Sequence, residues 1–371
     1  MSEFTEWKTL QFKDICRLKS DKVTVDSSDI QTYISTENML PNFGGVQSAK
    51  NIPLTGKLNT FKYGDVLFSN IRTYFKKVWI ATFDGVASPD VLIFSAMKNC
   101  ESQYLYYMMC EPQFTEFTVL TSRGAKMPRG DKEAILNYEI SLPSLAEQKA
   151  IASVLSSLDN KIDLLHRQNK TLESMAETLF RQWFVEEAQD DWNEVRLGQL
   201  FSICSGKGLK RDEFIELGMY PVLGANGEIG RCNKSLYSER LIYTGRVGTL
   251  GNIFIIHENE KVWLSDNTLI FKDIKYFYFV YFQLKMINFD EYNVGSTQPL
   301  IRQSDIKEIY IDFPNDLVLL DLFERDVDII FTKINKNIQK IKTLEKLRDT
   351  LLPKLMSGEV HVNYTPEEIK Q

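Results

Sequence analysis

The sequence predicts an α+β protein built as a pseudo-two-fold internal repeat: two similar globular domains separated by two long helices that form an antiparallel coiled coil. Three observations predict it. Thr171-Leu172-Glu173 followed by Thr178-Leu179 returns 172 residues later as Thr343-Leu344-Glu345 followed by Thr350-Leu351. Both copies lie in long segments of helical periodicity, and each follows a segment of short β-like runs separated by turn signals. A chain of 371 residues also exceeds what one hydrophobic core normally supports.

Residues 1–145 form the first globular domain. Val66-Leu67-Phe68 follows the turn signal Gly64-Asp65, Val78-Trp79-Ile80 is a second short apolar run, and Val91-Leu92-Ile93-Phe94 follows Pro89-Asp90. Ser141-Leu142-Pro143-Ser144 marks a stop, and Ser144 with Glu147 reads as a capping box that opens a helix. Over residues 146–186 the apolar positions Ile151, Leu155, Leu158, Ile162, Leu165, Leu172, Ala176 and Leu179 advance in steps of four and three, with Asn169 as the polar seam position. No Gly or Pro interrupts this segment.

The second domain, residues 187–314, starts as the first one does. Trp7-x-x-Leu10-x-Phe12-x-x-Ile15 is matched by Trp192-x-x-Val195-x-Leu197-x-x-Leu200, Ser88-x-x-x-Leu92-Ile93-Phe94 by Ser265-x-x-x-Leu269-Ile270-Phe271, and Gly124-x-x-x-Pro128 by Gly295-x-x-x-Pro299. Residues 315–371 carry the second helix. Its seam is Phe323, Val327, Ile330, Ile334, Ile341, Leu344 and Leu351, broken by Asn337 and Arg348; Asn337 stands one position off the register that would match Asn169. At 1.5 Å per residue each seam runs about 60 Å, too narrow and too polar on its other faces for an ordinary core helix. Repetition within one chain favours pairing of the two helices with each other over pairing with other chains.

Composition bounds the function. No apolar run approaches the roughly 20 residues that cross a bilayer, and Met1-Ser2-Glu3-Phe4 lacks a secretory signal, so a cytoplasmic protein is expected. The five cysteines, Cys16, Cys100, Cys110, Cys204 and Cys232, form no Cys-x-x-Cys pair and read as buried or incidental thiols. The net charge of −6 does not mark a nucleic-acid binder, and neither domain is globally basic: residues 1–145 carry 16 basic and 16 acidic side chains, residues 187–314 carry 14 and 18. Acids are nevertheless missing locally. Val66 to Phe83 holds Arg72, Lys76 and Lys77 and no carboxylate, Phe117 to Gly130 holds Arg123, Lys126 and Arg129 and none, and Leu241 to His257 holds Arg246 and none.

Catalytic classes can be checked against the residues. An adenine methyltransferase needs an Asn/Asp-Pro-Pro-aromatic motif, and no two prolines are adjacent. Pro89-Asp90 lacks the following acid-x-Lys of a metal-dependent nuclease and reads as a turn. Gly206-Lys207-Gly208 and Gly224-Ala225-Asn226-Gly227 are loop signals without phosphate-loop context, and His166, His257 and His361 lie in separate segments, so no catalytic residue and no metal site is expected. Tyr276-Phe277-Tyr278-Phe279 reads as core or partner surface more than as a base-stacking platform.

Two segments carry a family resemblance. Leu142-Pro143-Ser144-Leu145-Ala146-Glu147-Gln148-Lys149-Ala150-Ile151, leading into the first helix, and Leu347-Arg348-Asp349-Thr350-Leu351-Leu352-Pro353-Lys354-Leu355-Met356-Ser357-Gly358-Glu359-Val360, closing the second, resemble the DNA-specificity subunit of type I restriction–modification systems. Gly64-Asp65-Val66-Leu67-Phe68 and Thr244-Gly245-Arg246-Val247-Gly248-Thr249 resemble its recognition-domain signatures. The resemblance implies a non-catalytic reader of double-stranded DNA in which each target-recognition domain contacts half of a split site and the helices set the spacer. It implies as partners two modification subunits, which bind S-adenosylmethionine and methylate adenine, and motor-nuclease restriction subunits that use ATP and Mg. No cofactor is expected on this chain itself.

Arg and Lys suit phosphate or guanine, while Asn and Gln can bond adenine bidentately. The candidate DNA contacts are therefore Asn70, Arg72, Lys76, Lys77, Arg123, Lys126 and Arg129 in the first domain, and Asn226, Arg231, Arg246, Thr249, Gln298 and Arg302 in the second. A coiled-coil scaffold whose globular ends bind proteins is the competing reading; it explains the helices and the negative charge but not acid-free basic stretches in both domains. An RNA reader lacks an RNA-recognition motif or a Gly-x-x-Gly clamp. Inserting one heptad into both helices is expected to lengthen the permitted spacer by roughly three base pairs, about 10 Å. Mapping the recognised site of the insertion variant checks this, and an unchanged spacer would show that the helices are not the ruler.

Overall fold

The computed structural model describes residues 7–189 and 192–363; Met1 to Phe4, read above for a secretory signal, lie outside them. The chain divides into two compact units, residues 1–164 with 341–371 and residues 165–340. The division falls inside the two long helices, so each unit holds a globular domain and a stretch of both helices.

The first unit runs through β1 (Lys8–Gln11), β2 (Cys16–Leu18), β3 (Lys22–Thr24), β4 (Tyr33–Ile34), β5 (Lys57–Phe61), β6 (Val66–Ser69), β7 (Val78–Ile80), β8 (Gly85–Ala87) and β9 (Val91–Ala96). Helices α1 (Ser102–Cys110), α2 (Pro112–Leu120) and α3 (Lys132–Leu136) then precede β10 (Glu139–Leu142). One sheet has the order β2-β9-β6-β7, a second β3-β5-β8-β4, and β10 returns antiparallel to β1 with Lys8 opposite Leu142. The apolar runs of β6 and β9 are buried on both faces, as central strands must be. Alternation sends Val66, Phe68, Leu92 and Phe94 into the cluster containing α1, and Leu67, Val91 and Ile93 into a second cluster with Trp79 and Phe61.

The first long helix, α4 (Leu145–Arg181), opens where the sequence places it: the Ser144 hydroxyl accepts the Glu147 N–H at 3.3 Å. The reciprocal half of the capping box is replaced by longer-range bonds. The Glu147 carboxylate is held by Trp7 Nε1 and His361 Nδ1, while Gln148 Oε1 accepts the Glu101 N–H and its Nε2 donates to the carbonyls of Asn99 and Pro143. This Glu-Gln pair, almost fully buried, fixes the helix to its globular domain.

The second unit repeats the plan with β11 (Asn193–Arg196), β12 (Ser202–Ser205), β13 (Tyr220–Gly224), β14 (Gly227–Cys232), β15 (Leu241–Gly245), β16 (Ile253–Ile256), β17 (Trp263–Leu264) and β18 (Thr268–Lys272), then α5 (Phe277–Met286), α6 (Gln303–Lys307) and β19 (Tyr310–Phe313). Its main sheet, β12-β18-β15-β16, has the topology of β2-β9-β6-β7, and β19 pairs with β11 as β10 pairs with β1; its second sheet, β14-β13-β17, has three strands instead of four. Phe277, Tyr278 and Phe279 are core. Glu324 of α7 (Leu317–Met356) accepts the N–H groups of Tyr278 and Phe279, capping α5 from the long helix.

Within each unit the long helices pair antiparallel. In the second, Phe180 lies 5.9 Å from Phe323 and Asn169 meets Asn337, while Ala176, Phe184, Val327, Phe331 and Ile334 complete the packing. In the first, Ile151, Ala152 and Leu155 share a cluster with Leu352, Leu355 and Met356, and Asp159 accepts from the Tyr107 hydroxyl at 2.7 Å and Arg348 Nη1 at 2.9 Å. Of the seam residues read from sequence, Ile151, Leu155, Ile162, Leu165, Phe323, Val327, Ile334 and Ile341 are buried, and Leu158, Leu172, Leu179, Ile330, Leu344 and Leu351 half-buried. The polar breaks are paired: Asn337 Nδ2 donates to Asn169 Oδ1 at 2.8 Å and Gln168 Oε1 at 2.9 Å. All five cysteines are free thiols, and burial pushes that of Cys100 up to about 12.

Two outcomes follow. Asn337→Ala should cost about 2 kcal/mol in denaturant unfolding, because it leaves the Asn169 carbonyl buried without a donor; replacing both asparagines by Leu should recover most of the loss. Burial pushes the Glu111 carboxyl up to about 7 from an ordinary 4.5. The folded state therefore holds this proton more tightly than the unfolded chain, and stability is lost as pH rises from about 4.5 through 7. Glu111→Gln should remove that loss, gaining at most about 3 kcal/mol at pH 8 and nothing at pH 4, as read by unfolding midpoints across the range.

Candidate nucleic-acid interface

In the first unit the chain leaving β6 is held by backbone bonds on two sides. Asn70 N–H donates to the Asp90 carbonyl at 2.9 Å, Gly130 N–H to the Asn70 carbonyl at 3.1 Å, and Arg72 N–H to the Pro128 carbonyl at 2.8 Å. Residues 123–129 form a hairpin in which Arg123 and Arg129 exchange backbone bonds at 2.8 and 2.9 Å. From the other side, the N–H groups of Asn42 and Phe43 donate to the carbonyls of Phe75 and Lys76. Asn42, Phe43, Arg72 and Lys76 all take left-handed backbone conformations, with φ between 52° and 60°. Such residues cost about 1–3 kcal/mol each and persist only where the surroundings fix them, as these bonds do.

This clamp brings both first-domain clusters onto one surface. Arg72 and Lys76 are half-exposed, and Arg123, Lys126 and Arg129 exposed. Arg129 pairs with Asp90 at 2.9 Å and Arg123 with Asp131, so two of the five cations are partly neutralised and held at fixed positions. Lys77 differs: its ammonium donates to the Thr36 carbonyl at 2.6 Å, and burial holds its pKa below the ordinary lysine value. Asn70 is buried beneath the loop, its Oδ1 without a partner and 2.9 Å from where a Cβ at Gly130 would stand.

The second unit repeats four of these backbone bonds at equivalent positions, without a counterpart, among the described residues, of the Asn42 and Phe43 bonds. Arg246 N–H donates to the Asn267 carbonyl at 2.7 Å, Ile301 N–H to the Arg246 carbonyl at 3.0 Å, and Gly248 N–H to the Pro299 carbonyl at 3.0 Å. Val294 N–H closes the hairpin on the Leu300 carbonyl, and Asn293 Oδ1 accepts the N–H groups of Gly295 and Leu300. Arg246 thus occupies the place of Asn70, Gly248 that of Arg72, and Pro299 that of Pro128. Gly245 and Gly295 are required by space, since a Cβ would overlap the Thr249 and Gln298 carbonyls respectively.

Arg246, Thr249, Gln298 and Arg302 come together on this frame; Thr249, Gln298 and Arg302 are exposed, and Arg246 is half-exposed with its Nε buried and unpartnered. Asn226, on the turn between β13 and β14, joins them through the Asn252 amide, which donates to its Oδ1 at 2.8 Å. Arg231 is engaged elsewhere: Nε and Nη2 donate to the Gly218 and Met219 carbonyls, and Nη1 pairs with Glu228. Among the described residues no group of three or more His, Cys, Asp or Glu could hold a metal.

Sequence reasoning passed over Asn252, and also Tyr74, Phe75 and Met127, apolar side chains exposed on the first clamp. All three apolar residues lie inside the acid-free runs, which was the available signal. Aromatic type alone reads as core, and only exposure distinguishes them. Each surface can bond phosphates through Arg and Lys and base edges through amides and hydroxyls.

A family model described as the type I restriction modification DNA specificity domain matches residues 5–174 and again residues 189–347. The type I restriction enzyme MjaIX specificity subunit of Methanocaldococcus jannaschii is 29% identical over 301 residues, spanning 70% of this chain and 69% of that protein. The HindI specificity subunit of Haemophilus influenzae is 22% identical over 464 residues, spanning 96% of this chain and 100% of its own length. The crystal structure of a type I restriction–modification S subunit from M. genitalium shares the fold, with TM-score 0.62 at 20% identity over 96% of this chain and 97% of that one.

Gly295→Ala should open the second hairpin. Amide exchange at Gly248 and Val294 should quicken about tenfold or more, while that at Arg72 and Arg123 stays unchanged. Equal loss of protection in both hairpins would show that the clamps are not independent.

Proposed function

The chain belongs to the type I restriction–modification DNA-specificity family, and on that premise we propose that each unit reads one half of a bipartite duplex site through its clamped surface. The observation that carries this reading is the recurrence, in both units, of the backbone bonds that join the loop after the central strand to the Gly-x-x-x-Pro hairpin, with different side chains around them. A first surface of Arg72, Lys76, Arg123, Lys126 and Arg129 faces one half-site, and a second of Asn226, Arg246, Thr249, Gln298 and Arg302 faces the other. The long helices set the spacer.

The chain itself is non-catalytic in this reading. Two modification subunits supply S-adenosylmethionine-dependent adenine methylation, and restriction subunits supply ATP- and Mg-dependent cleavage. Those partners also neutralise phosphates around the duplex, which makes a net charge of −6 compatible with DNA binding. The complex works in the cytoplasm; no helix among the described residues is long and apolar enough to cross a membrane.

Co-expression with the modification subunit in a methylation-free host, followed by mapping of modified adenines, tests the reading. A split motif with a fixed spacer is expected, and a stable complex that leaves no new methylation would contradict it. Arg246→Ala should relax or weaken one half of the motif, by roughly 1–3 kcal/mol if the contact is bidentate to guanine, and leave the other half's preference intact. Equal loss in both halves would rule out modular reading.

A further inference from the structure

Resting on the DNA-reading function above, we propose that Tyr74 and Phe75 form an apolar wedge that enters a base step of the half-site read by the first unit. The two side chains stand 48% and 39% exposed at the tip of the loop after β6, their rings 4.7 Å apart and tilted by 54°. They pack on each other while leaving faces to solvent.

The tip is pre-shaped for insertion. Left-handed Arg72 and Lys76 bracket the single 3-10 turn Thr73–Phe75. Below it, Thr73 is buried with its hydroxyl 3.4 Å from that of Ser122, and the Phe75 carbonyl is tied to Asn42. An apolar point fixed in this way loses little conformational freedom when it is covered. Met127, 53% exposed, precedes Pro128, whose carbonyl accepts the Arg72 N–H at the base of this turn.

Charge selects the occupant. The tip lies between Arg72 and Lys76, and Lys126 adjoins Met127; the carboxylates that approach are already paired, Asp90 with Arg129, Asp131 with Arg123, and Asp159 and Asp349, which line a cavity with Lys76, with Arg348. Aromatic rings ringed by cations suit a polyanion with stacked π-faces, in which a side-chain wedge unstacks a step and the flanking cations hold the phosphates. The second unit lacks the device. After Gly248 come Thr249 and Leu250, with Leu250 packed against the core, and Gln298 stands where the first hairpin has Met127. The wedge therefore marks one half-site only, and the other is read by hydrogen bonds.

The test uses the full chain in complex with its modification subunits, on duplexes carrying 2-aminopurine at successive steps of each half-site outside the methylated adenine, without S-adenosylmethionine. The proposal expects increased fluorescence at one step of one half-site. Tyr74→Ala with Phe75→Ala should abolish it and weaken binding by about 5-fold to 100-fold with an unchanged salt slope. Tyr74→Phe should retain the signal, and Lys76→Ala should lower the salt slope while retaining it. Wild-type complex that binds its site with no fluorescence change at any step overturns the wedge and leaves DNA reading intact. Aromatic variants that bind DNA normally but lose the modification subunits overturn it in favour of a protein-docking surface. A wild-type complex that binds no split site overturns the DNA-reading function and the wedge together.

Discussion

The candidate interface depends on one backbone hydrogen bond made twice, from the third residue beyond a central strand to the proline carbonyl of a Gly-x-x-x-Pro hairpin. Arg72 N–H to Pro128 and Gly248 N–H to Pro299 make it at 2.8 and 3.0 Å. Because donor and acceptor are main-chain atoms, the bond survives exchange of the side chains around it. The glycine of each hairpin permits the turn, and at Gly295 a Cβ would overlap the Gln298 carbonyl. Proline contributes an acceptor with no competing donor. Geometry is held by the backbone and readout is left to the side chains, so one frame can carry aromatic and cationic chemistry in one unit and amides and hydroxyls in the other.

The same separation of roles appears where the globular domains meet the helices. Glu147 and Gln148 are almost fully buried, yet Glu147 ties the Trp7 and His361 rings to the helix start and Gln148 satisfies main-chain groups of Asn99, Glu101 and Pro143, a need that Glu324 meets for α5 in the second unit. The asparagine pair in the seam acts differently. A buried amide that must find its partner penalises sliding of one helix along the other, so Asn169 and Asn337 trade some stability for register.

Much of this was legible in the sequence, because periodicity and repetition are local signals. Val78-Trp79-Ile80 coincides with a strand, the helical seams lie in long helices, and the matched Gly-x-x-x-Pro motifs are the two clamped hairpins. Pairing of Asn337 with Asn169 despite the one-position offset became visible only with the helices side by side. Side-chain availability was not legible, since it depends on partners distant in sequence. Lys77 is tied to a carbonyl 41 positions away and Arg231 to carbonyls 12 and 13 positions away, whereas the neighbouring Lys76 is left half-exposed. Burial of Asn70 and exposure of Phe75 could not be told from residue type, which would suggest the reverse.

The most direct measurement places a photo-crosslinking residue at Lys126 or at Thr297, which occupy equivalent positions in the two hairpins, and identifies the nucleotides captured when the assembled complex binds its split site. The account predicts crosslinks confined to one half-site from Lys126 and to the other from Thr297. Capture of the same half from both positions, or of the spacer alone, would contradict it.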